Sequence, residues 1–522
     1  MIRRVGRVAR PVLLGTAGAC ATVYAQSAYT GVEPGAVRAA RTLCYGGLVG
    51  IDYKLAARLS EGSQERATEM AAVHQRAAER LLYCCRLHGG LFNKLGQFVS
   101  TMNHVLPPQY TTVLAACQDR AEAVGIEAVR GVVETELGAT LETLFESFDA
   151  EPIAAASLAQ VHRAVAAGMG EVAVKVQNPH LRQQVDADLR TLRVLAWLVE
   201  CAFPGYTYSW LLPEFERSMR EELDFKHEAA NTARVAADFA AMPQVYVPRV
   251  LPELSGGRVL TMEFVHGAKL SDGEALAALH LEPTEVATLL ISTFAQMIFA
   301  SGFVHCDPHP GNLLARQMPG GVARPQLVLL DHGMYRRLDP NFRRSYCELW
   351  HALLTHDHAS GRIAARALGV HDADYETLSL LLTFRTPTAR TALGTRMDPQ
   401  ERKRVRTRLR ATTADEVSAF LERLPRDMLF VMRTWALVSS HNRTLGGTTR
   451  QRMRIFVRHA TSGALEAAAP GGGGWAQELL WALRVRLLVM RARLLMSSLD
   501  LWLLVRYTWW QGLRPHSRKN LG

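Results

Sequence analysis

The chain has 522 residues, 48% of them hydrophobic and 21% charged. This leaves disorder aside and allows a two-lobed globular core with extensions. Its formal net charge of +11 suits an anionic ligand or a membrane surface, and no nucleic-acid motif accompanies it. The eight cysteines, Cys20, Cys44, Cys84, Cys85, Cys117, Cys201, Cys306 and Cys347, form no Cys-x-x-Cys pair, so they indicate neither a zinc site nor a disulfide scaffold but, for most of them, buried thiols in a reducing compartment.

The N-terminus carries Arg3, Arg4, Arg7 and Arg10 and no acidic residue before Glu33, the composition of a mitochondrial transit peptide. Residues 11–30 are uncharged and near the length of a membrane span, so residues 1–35 read as a targeting segment or a weak anchor. Over 65–87 the apolar Met70, Val73, Ala77, Leu81 and Cys84 recur at three and four. That spacing predicts an amphipathic helix, ended by Gly89-Gly90. Lys94 and Gln97 follow, three apart, on one face of a next helix.

Three short β-runs are predicted at 152–157, 159–166 and 171–176. The turn holding Ala155, Ala156 and Ser157 lies where a kinase has its Gly-rich phosphate loop. Val172-Ala173-Val174-Lys175 matches the strand that carries a phosphate-binding lysine; the plainer reading is a hairpin with an exposed lysine. A helical pattern runs over 186–201. Then Glu221, Glu222, Asp224 and Glu228 crowd into eight residues. These form either a solvated helix face or the source of the Glu that pairs with Lys175. The run 258–265 predicts a strand entering a hinge that Gly267 breaks, with Glu263 and Val265 offering backbone groups to adenine. Pro283 opens and Gly302 closes a helix over 284–300.

The chemistry concentrates after that helix. Asp307 and Asn312 bracket an Asp-x-x-x-x-Asn loop, and the apolar 327–330 runs into Asp331-His332-Gly333. This order belongs to a kinase-like phosphotransfer site. In it Asp307 sits beside the acceptor hydroxyl, while Asn312 and Asp331 present hard oxygens to Mg²⁺. Residues 341–464 are mostly helical in pattern. Pro470 and four glycines form a linker to a tail with five of the nine tryptophans. Arg484, Arg486, Arg491 and Arg493 interrupt the tail's apolar run, so it reads as a membrane-interface helix or a helix folded back on the domain.

Together these motifs resemble the UbiB, or aarF-domain-containing, family of atypical kinase-like proteins over 81–465, in detail most like a mitochondrial member. The resemblance rests on Lys94-Leu95-Gly96-Gln97, the Ala-rich loop from Ala154 to His162, the strand ending at Lys175, Glu222-Leu223-Asp224, Glu228, the loop from His305 to Asn312, and Asp331-His332-Gly333. It implies an α+β, protein-kinase-like two-lobed fold with extra N-terminal helices covering the active site and a mostly helical C-lobe. The implied segments are a helical extension at 60–145, an N-lobe at 146–266, a C-lobe at 267–465, and a linker with amphipathic helices at 470–522. ATP and Mg²⁺ are the implied cofactors. Ala155, Ala156, Ser157, Lys175, Glu228, Glu263 and Val265 would bind ATP, Asn312 and Asp331 the metal, and Asp307 would be catalytic. Lys94, Gln97, Glu222 and Asp224 would be regulatory, with Lys94 paired to Glu222.

The implied function is an ATPase or kinase acting on a lipid or small molecule at a mitochondrial, inner-membrane-associated site, linked to coenzyme Q or lipid homeostasis. Mitochondrial protein partners are expected and nucleic acid is not. A nucleotide-dependent pseudokinase scaffold is the alternative. A choline- or aminoglycoside-kinase type is disfavoured by Lys94-x-Gly96-Gln97 and Glu222-x-Asp224. Two features depart from ordinary kinases. The alanine loop carries Cβ atoms where glycine would let the backbone approach phosphates, and His332 stands where Phe is usual.

Overall fold

A computed structural model describes residues 34–60, 63–100, 106–118, 123–179, 181–203, 211–320, 322–383, 385, 398–411, 420 and 423–467. The readings made for the N-terminal segment and for the glycine linker and tail fall outside them. The chain divides into two compact units, one of residues 1–233 with 249–264, the other of residues 234–248 with 265–522.

The first unit is built on an antiparallel sheet of Ser147–Phe148, Ala159–Ala166, Gly170–Gln177 and Val259–Glu263 in that order, with Ala154–Ala155 paired beside Ala159–Ala166. The hairpin turns at Gly168 and Gly170, whose φ of 70° and 81° suit residues without Cβ. Alternation along Gly170–Gln177 sets the two faces. Val172, Val174 and Val176 are buried with Val129, Val132 and Val133 of helix Ile126–Leu137. Ala173 faces the other way, into a small cluster with Phe225, Leu260 and Met262, and Lys175 shares its side.

Helices Gly35–Ala56, Gln64–His88, Gly90–Ser100, Leu181–Ala202 and Leu211–Glu222 complete this unit. Gly89, at φ 63°, ends Gln64–His88 where the Gly-Gly pair was expected to. Gly96 is required by close approach: a Cβ there would collide with Cys117 Sγ and lie 3.1 Å from Cys85 Sγ. Gly35–Ala56 was not read from the sequence. It is fixed by Arg38, whose guanidinium donates to Asp188 at 3.0 and 2.5 Å and to the His88 carbonyl at 2.9 Å, all in the interior.

The acidic run from Glu221 to Glu228 is not one continuous helix face. One helix ends at Glu222 and another, Phe225–Asp238, begins. The break has a long-range cause. The Leu223 carbonyl accepts from Gln177 Nε2 at 3.1 Å and Arg182 Nη2 at 3.2 Å. Leu181–Ala202 also starts five residues earlier than the pattern at 186 suggested.

The second unit contains a sheet in the order Val245–Tyr246, Val322–Leu329, Leu313–Met318, Ala268–Lys269, and a two-stranded ribbon of Phe303–His305 with Tyr335–Arg337. Its main helix, Pro283–Gln296, runs into a π-turn, Met297–Ser301, stopped by Gly302 at φ 64°. Leu290, Ile291 and Phe294 of that helix are wholly buried. Phe294 stacks on His305, ring centroids 6.2 Å apart, so the helix underlies the start of the loop from His305 to Asn312. Pro340–Thr355, Arg426–Thr444 and Thr449–Ala467 enclose the core, where Trp350, Tyr346, Phe299 and Phe456 meet ring to ring.

Candidate functional site

In the first unit the strand and helix geometry brings Lys175 to Glu228. Strand Gly170–Gln177 is paired on both sides, Val161 and Leu260 opposing Lys175, which fixes where the lysine emerges. Asp224 starts the helix that carries Glu228: its Oδ1 accepts from the Lys226 amide at 3.1 Å and its carbonyl from the His227 amide at 2.9 Å. Lys175 Nζ donates to both Glu228 oxygens at 2.8 Å. The carboxylate is 3% exposed and the lysine 19%. Lys175 also lies over Phe225, 5.2 Å from the ring centroid. This arrangement removes the reading of an exposed hairpin lysine.

The alanine loop is a tight hairpin. Ala154 and Ala155 pair with Val161 and Gln160, and the Ala156 amide donates to the Ala159 carbonyl at 2.8 Å. Ala154 and Ala156 are exposed and Ala155 half-buried. Ser157 is buried, and its Oγ has no hydrogen-bond partner. The loop is braced from below by Gln160, which exchanges bonds with the Val124 backbone at 2.8 and 3.0 Å. His162 joins through Gln160 at 2.8 Å and the Asp149 carbonyl at 2.8 Å. Burial lowers its pKa.

Lys94, Gln97, Glu222 and Asp224, expected to be regulatory, fall in the same unit. Lys94 forms an ion pair with Glu222, both side chains 20% exposed. Gln97 Nε2 donates to the Cys117 carbonyl at 2.9 Å, so it pins a neighbouring turn and not an acidic group. Glu222 and Asp224 have different tasks: one meets the Lys94 helix, the other begins the Glu228 helix. Glu263 ends its strand, and Val265 opens the second unit, buried against Leu314 and Val328.

The second unit gathers Asp307, Asn312 and Asp331. Leu313–Met318 and Val322–Leu329 are antiparallel with Leu313 opposite Leu329. The Leu330 amide then donates to the Asn312 carbonyl at 3.0 Å. Asn312 and Asp331 therefore leave adjacent strand ends together. The Gly333 amide donates to Asp331 Oδ1 at 2.9 Å, turning the carboxylate. His305 is buried and its Nδ1 accepts from the Asp307 amide at 3.2 Å. Burial lowers the His305 pKa, against the charges of Asp307 and Asp331, and the bond from the Asp307 amide ties the ring to the loop backbone.

His332 replaces a packing ring with a bonded one. It is 1% exposed, its Nε2 donates to the Leu329 carbonyl at 3.1 Å, and its Nδ1 accepts from Tyr335 Oη at 3.0 Å. Tyr335 stacks on both His332 and His305, with centroids at 5.6 and 4.9 Å. Sequence reasoning missed Tyr335 and two further props. Thr434 Oγ1 donates to the His305 carbonyl at 3.4 Å, and His441 Nε2 to the Pro308 carbonyl at 2.9 Å. Their seven-residue spacing on one helix was the only available signal.

Among the described residues no three His, Cys, Asp or Glu side chains converge on a metal position. The Asp331 carboxylate and the Asn312 amide oxygen are hard donors that suit Mg²⁺, an ion that keeps several waters and is held by one or two carboxylates with phosphates. The donor set therefore fits the implied ion.

The chain is similar over much of its length to known proteins. The ABC1 atypical kinase-like domain matches residues 116–363. A probable serine/threonine-protein kinase of Dictyostelium discoideum, abkD, is 35% identical over 81% of this chain, which spans 60% of that protein. AarF domain-containing protein kinase 1 of Xenopus laevis is 34% identical over 85% of this chain and 86% of its own length. The solved complex of Rv3197 with erythromycin from Mycobacterium tuberculosis aligns over 76% of this chain and all of that one, at 21% identity and a TM-score of 0.48.

Proposed function

Because the chain belongs to the ABC1/AarF family of atypical kinase-like proteins, we propose that it binds Mg²⁺-ATP and turns it over, as an atypical kinase or ATPase. We assign its acceptor to lipids or small molecules at a mitochondrial membrane, in coenzyme Q or lipid homeostasis. The observation that carries the chemistry is the doubly bonded Lys175–Glu228 pair. A lysine held by both oxygens of a buried carboxylate is pre-oriented and keeps its charge for phosphate oxygens.

The other residues take roles that follow from their surroundings. The unpartnered Ser157 hydroxyl and the alanine-loop amides would meet phosphate, with Cβ atoms limiting how closely the backbone approaches. Asp331, turned by the Gly333 amide, and Asn312 would hold the metal. A Mg²⁺ ion held there would supply positive charge that offsets the negative charge of the phosphate oxygens. Asp307, half-buried and anchored through its backbone to His305, would accept the proton of the acceptor hydroxyl or of water. Basic composition and the Trp- and Arg-rich tail support a membrane setting.

Asp331→Asn is expected to weaken Mg²⁺-ATP binding by roughly 10-fold or more, since even outer partners of metal ligands contribute that much. The nucleotide-induced shift in melting temperature measures it. A full shift in the variant removes Asp331 from the site. ATP turnover with and without liposomes tests the rest; binding without turnover in both would make the protein an ATP-dependent scaffold.

A further inference from the structure

Several buried polar groups of the second unit have no hydrogen-bond partner, and those of Ser439, Asn442 and Arg452 lie on two consecutive helices. Helices Arg426–Thr444 and Thr449–Ala467 are joined by the short turn 445–448. They touch through Trp435 and Phe456, ring centroids 3.7 Å apart. Trp435, Ser439 and Asn442 are spaced by four and three, so they share one face. Arg452 and Phe456 are four apart on the second helix, and the Arg452 guanidinium lies 5.7 Å from the Trp435 centroid. Arg452 is only 7% exposed. Its Nε and Nη1 have no hydrogen-bond partner, nor do Ser439 Oγ and Asn442 Nδ2. The Trp435 face meets the charge of the guanidinium but cannot accept its in-plane N–H groups.

Asn442 lies beside the turn where the second helix begins, and Arg452 follows it in sequence. Arg452 stands in the first turns of helix Thr449–Ala467, with its guanidinium on the side of Trp435. The Asn442 amide packs against Gly447: a Cβ there would collide with Oδ1 and lie 2.9 Å from Nδ2. Thr448 closes the turn, its Oγ1 accepting from the Gln451 amide at 3.1 Å and its carbonyl from the Arg452 amide at 3.1 Å. A helix start carries partial positive charge and favours anions. Residues 443–458 hold Arg443, Arg450, Arg452, Arg454 and Arg458 and no acidic residue.

A buried guanidinium, an amide nitrogen, a hydroxyl and a helix start are complementary to a group rich in acceptor oxygens. We propose that Arg452, Asn442 and Ser439, with the start of helix Thr449–Ala467, form an anion site that takes a phosphate group. Phosphate suits it better than carboxylate, because its oxygens match several donors and the bidentate edge of arginine. None of these three side chains is among the proposed Mg²⁺-ATP residues. Ser439 and Asn442 lie on the helix whose Thr434 and His441 hold the loop from His305 to Asn312.

The test uses the full chain in the Asp331→Asn background with a chelator present, so that failure of the nucleotide reading cannot affect it. Thermal unfolding is followed against inorganic phosphate and against chloride at equal ionic strength. Phosphate stabilises many proteins weakly by exclusion, so the readout is a saturable rise at low phosphate concentration. Arg452→Met is expected to abolish that rise and Asn442→Ala to raise its half-saturation. Without phosphate, Arg452→Met should melt no lower than its parent, because it removes an uncompensated buried charge. A short-chain soluble phosphatidic acid forms the second arm. Saturation at lower concentration than inorganic phosphate identifies a lipid headgroup, and equal saturation a free phosphate. Identical curves in phosphate and chloride, or a saturable rise retained in both Arg452→Met and Asn442→Ala, overturn the site.

Discussion

Gly96 carries a constraint that its place in the motif does not reveal. The middle of Lys94-Leu95-Gly96-Gln97 has no positive φ; what it lacks is room, because Cys117 and Cys85 sulfurs sit against it. Gly96→Ala should overpack this point and cost about 1–3 kcal/mol. Denaturant unfolding measures it, and Cys117→Ala in the same chain should recover part of the loss by removing the colliding sulfur. Equal losses in single and double variants would mean that the helix simply shifts away. Lys94 and Gln97 were legible as residues sharing a face, but the Cys117 carbonyl that Gln97 holds was not, since a backbone partner leaves no mark in a sequence. His332 was legible as a departure from Phe. Its bonds to Tyr335 and Leu329 needed the fold.

At the scale of elements, local pattern and glycine punctuation carried most of the reading. Gln64–His88, Pro283–Gln296 and the hairpin of Ala159–Ala166 with Gly170–Gln177 lie within a residue or so of expectation, apart from the π-turn after Gln296. The failures have long-range causes. Gly35–Ala56 contains four glycines, a poor helix sequence, and is held by Arg38 to Asp188, 150 residues on. The Glu222–Asp224 break is made by Gln177 and Arg182. That break is also where two helices acquire separate roles, so the Lys94–Glu222 pair ties the Gly90–Ser100 helix to the segment that launches the Glu228 helix. With both side chains 20% exposed, solvent screens part of the pair, and its work is positioning more than stability. Lys94→Ala with Glu222→Ala should cost less than the sum of the single changes, with a coupling of roughly 0.5–3 kcal/mol. A double-mutant cycle on unfolding free energy checks this. Strict additivity would return Lys94 to a solvated helix residue.

For the whole molecule, each unit contains its own share of the candidate chemistry and its own buried histidines. Both shares were legible as motifs, because strand ends and loops with Lys, Asp and Asn at kinase spacing leave local signals. The narrower likeness to a mitochondrial member has no such support and stands as part of the proposal. Histidine burial was not legible at all, since a sequence gives no sign of which imidazoles lose water. In the first unit, burial and then Arg38 push the His88 pKa down to about 4. In the second, burial and then Arg458 push His459 down to about 4. An unfolded histidine titrates near 6.5. As pH falls below that value the unfolded chain takes up a proton that the folded unit refuses until about pH 4. Stability is therefore complete above the unfolded value and is lost as pH drops from about 6.5 toward 4, by at most about 1.4 kcal/mol per pH unit for each such histidine. Denaturant unfolding at pH 7.5, 6.5 and 5.5 should show midpoints falling over the lower interval and nearly flat over the upper. His459→Gln should lessen the second unit's fall and His88→Gln the first's. A midpoint that rises as the solution is acidified would mean that these rings are protonated in the fold.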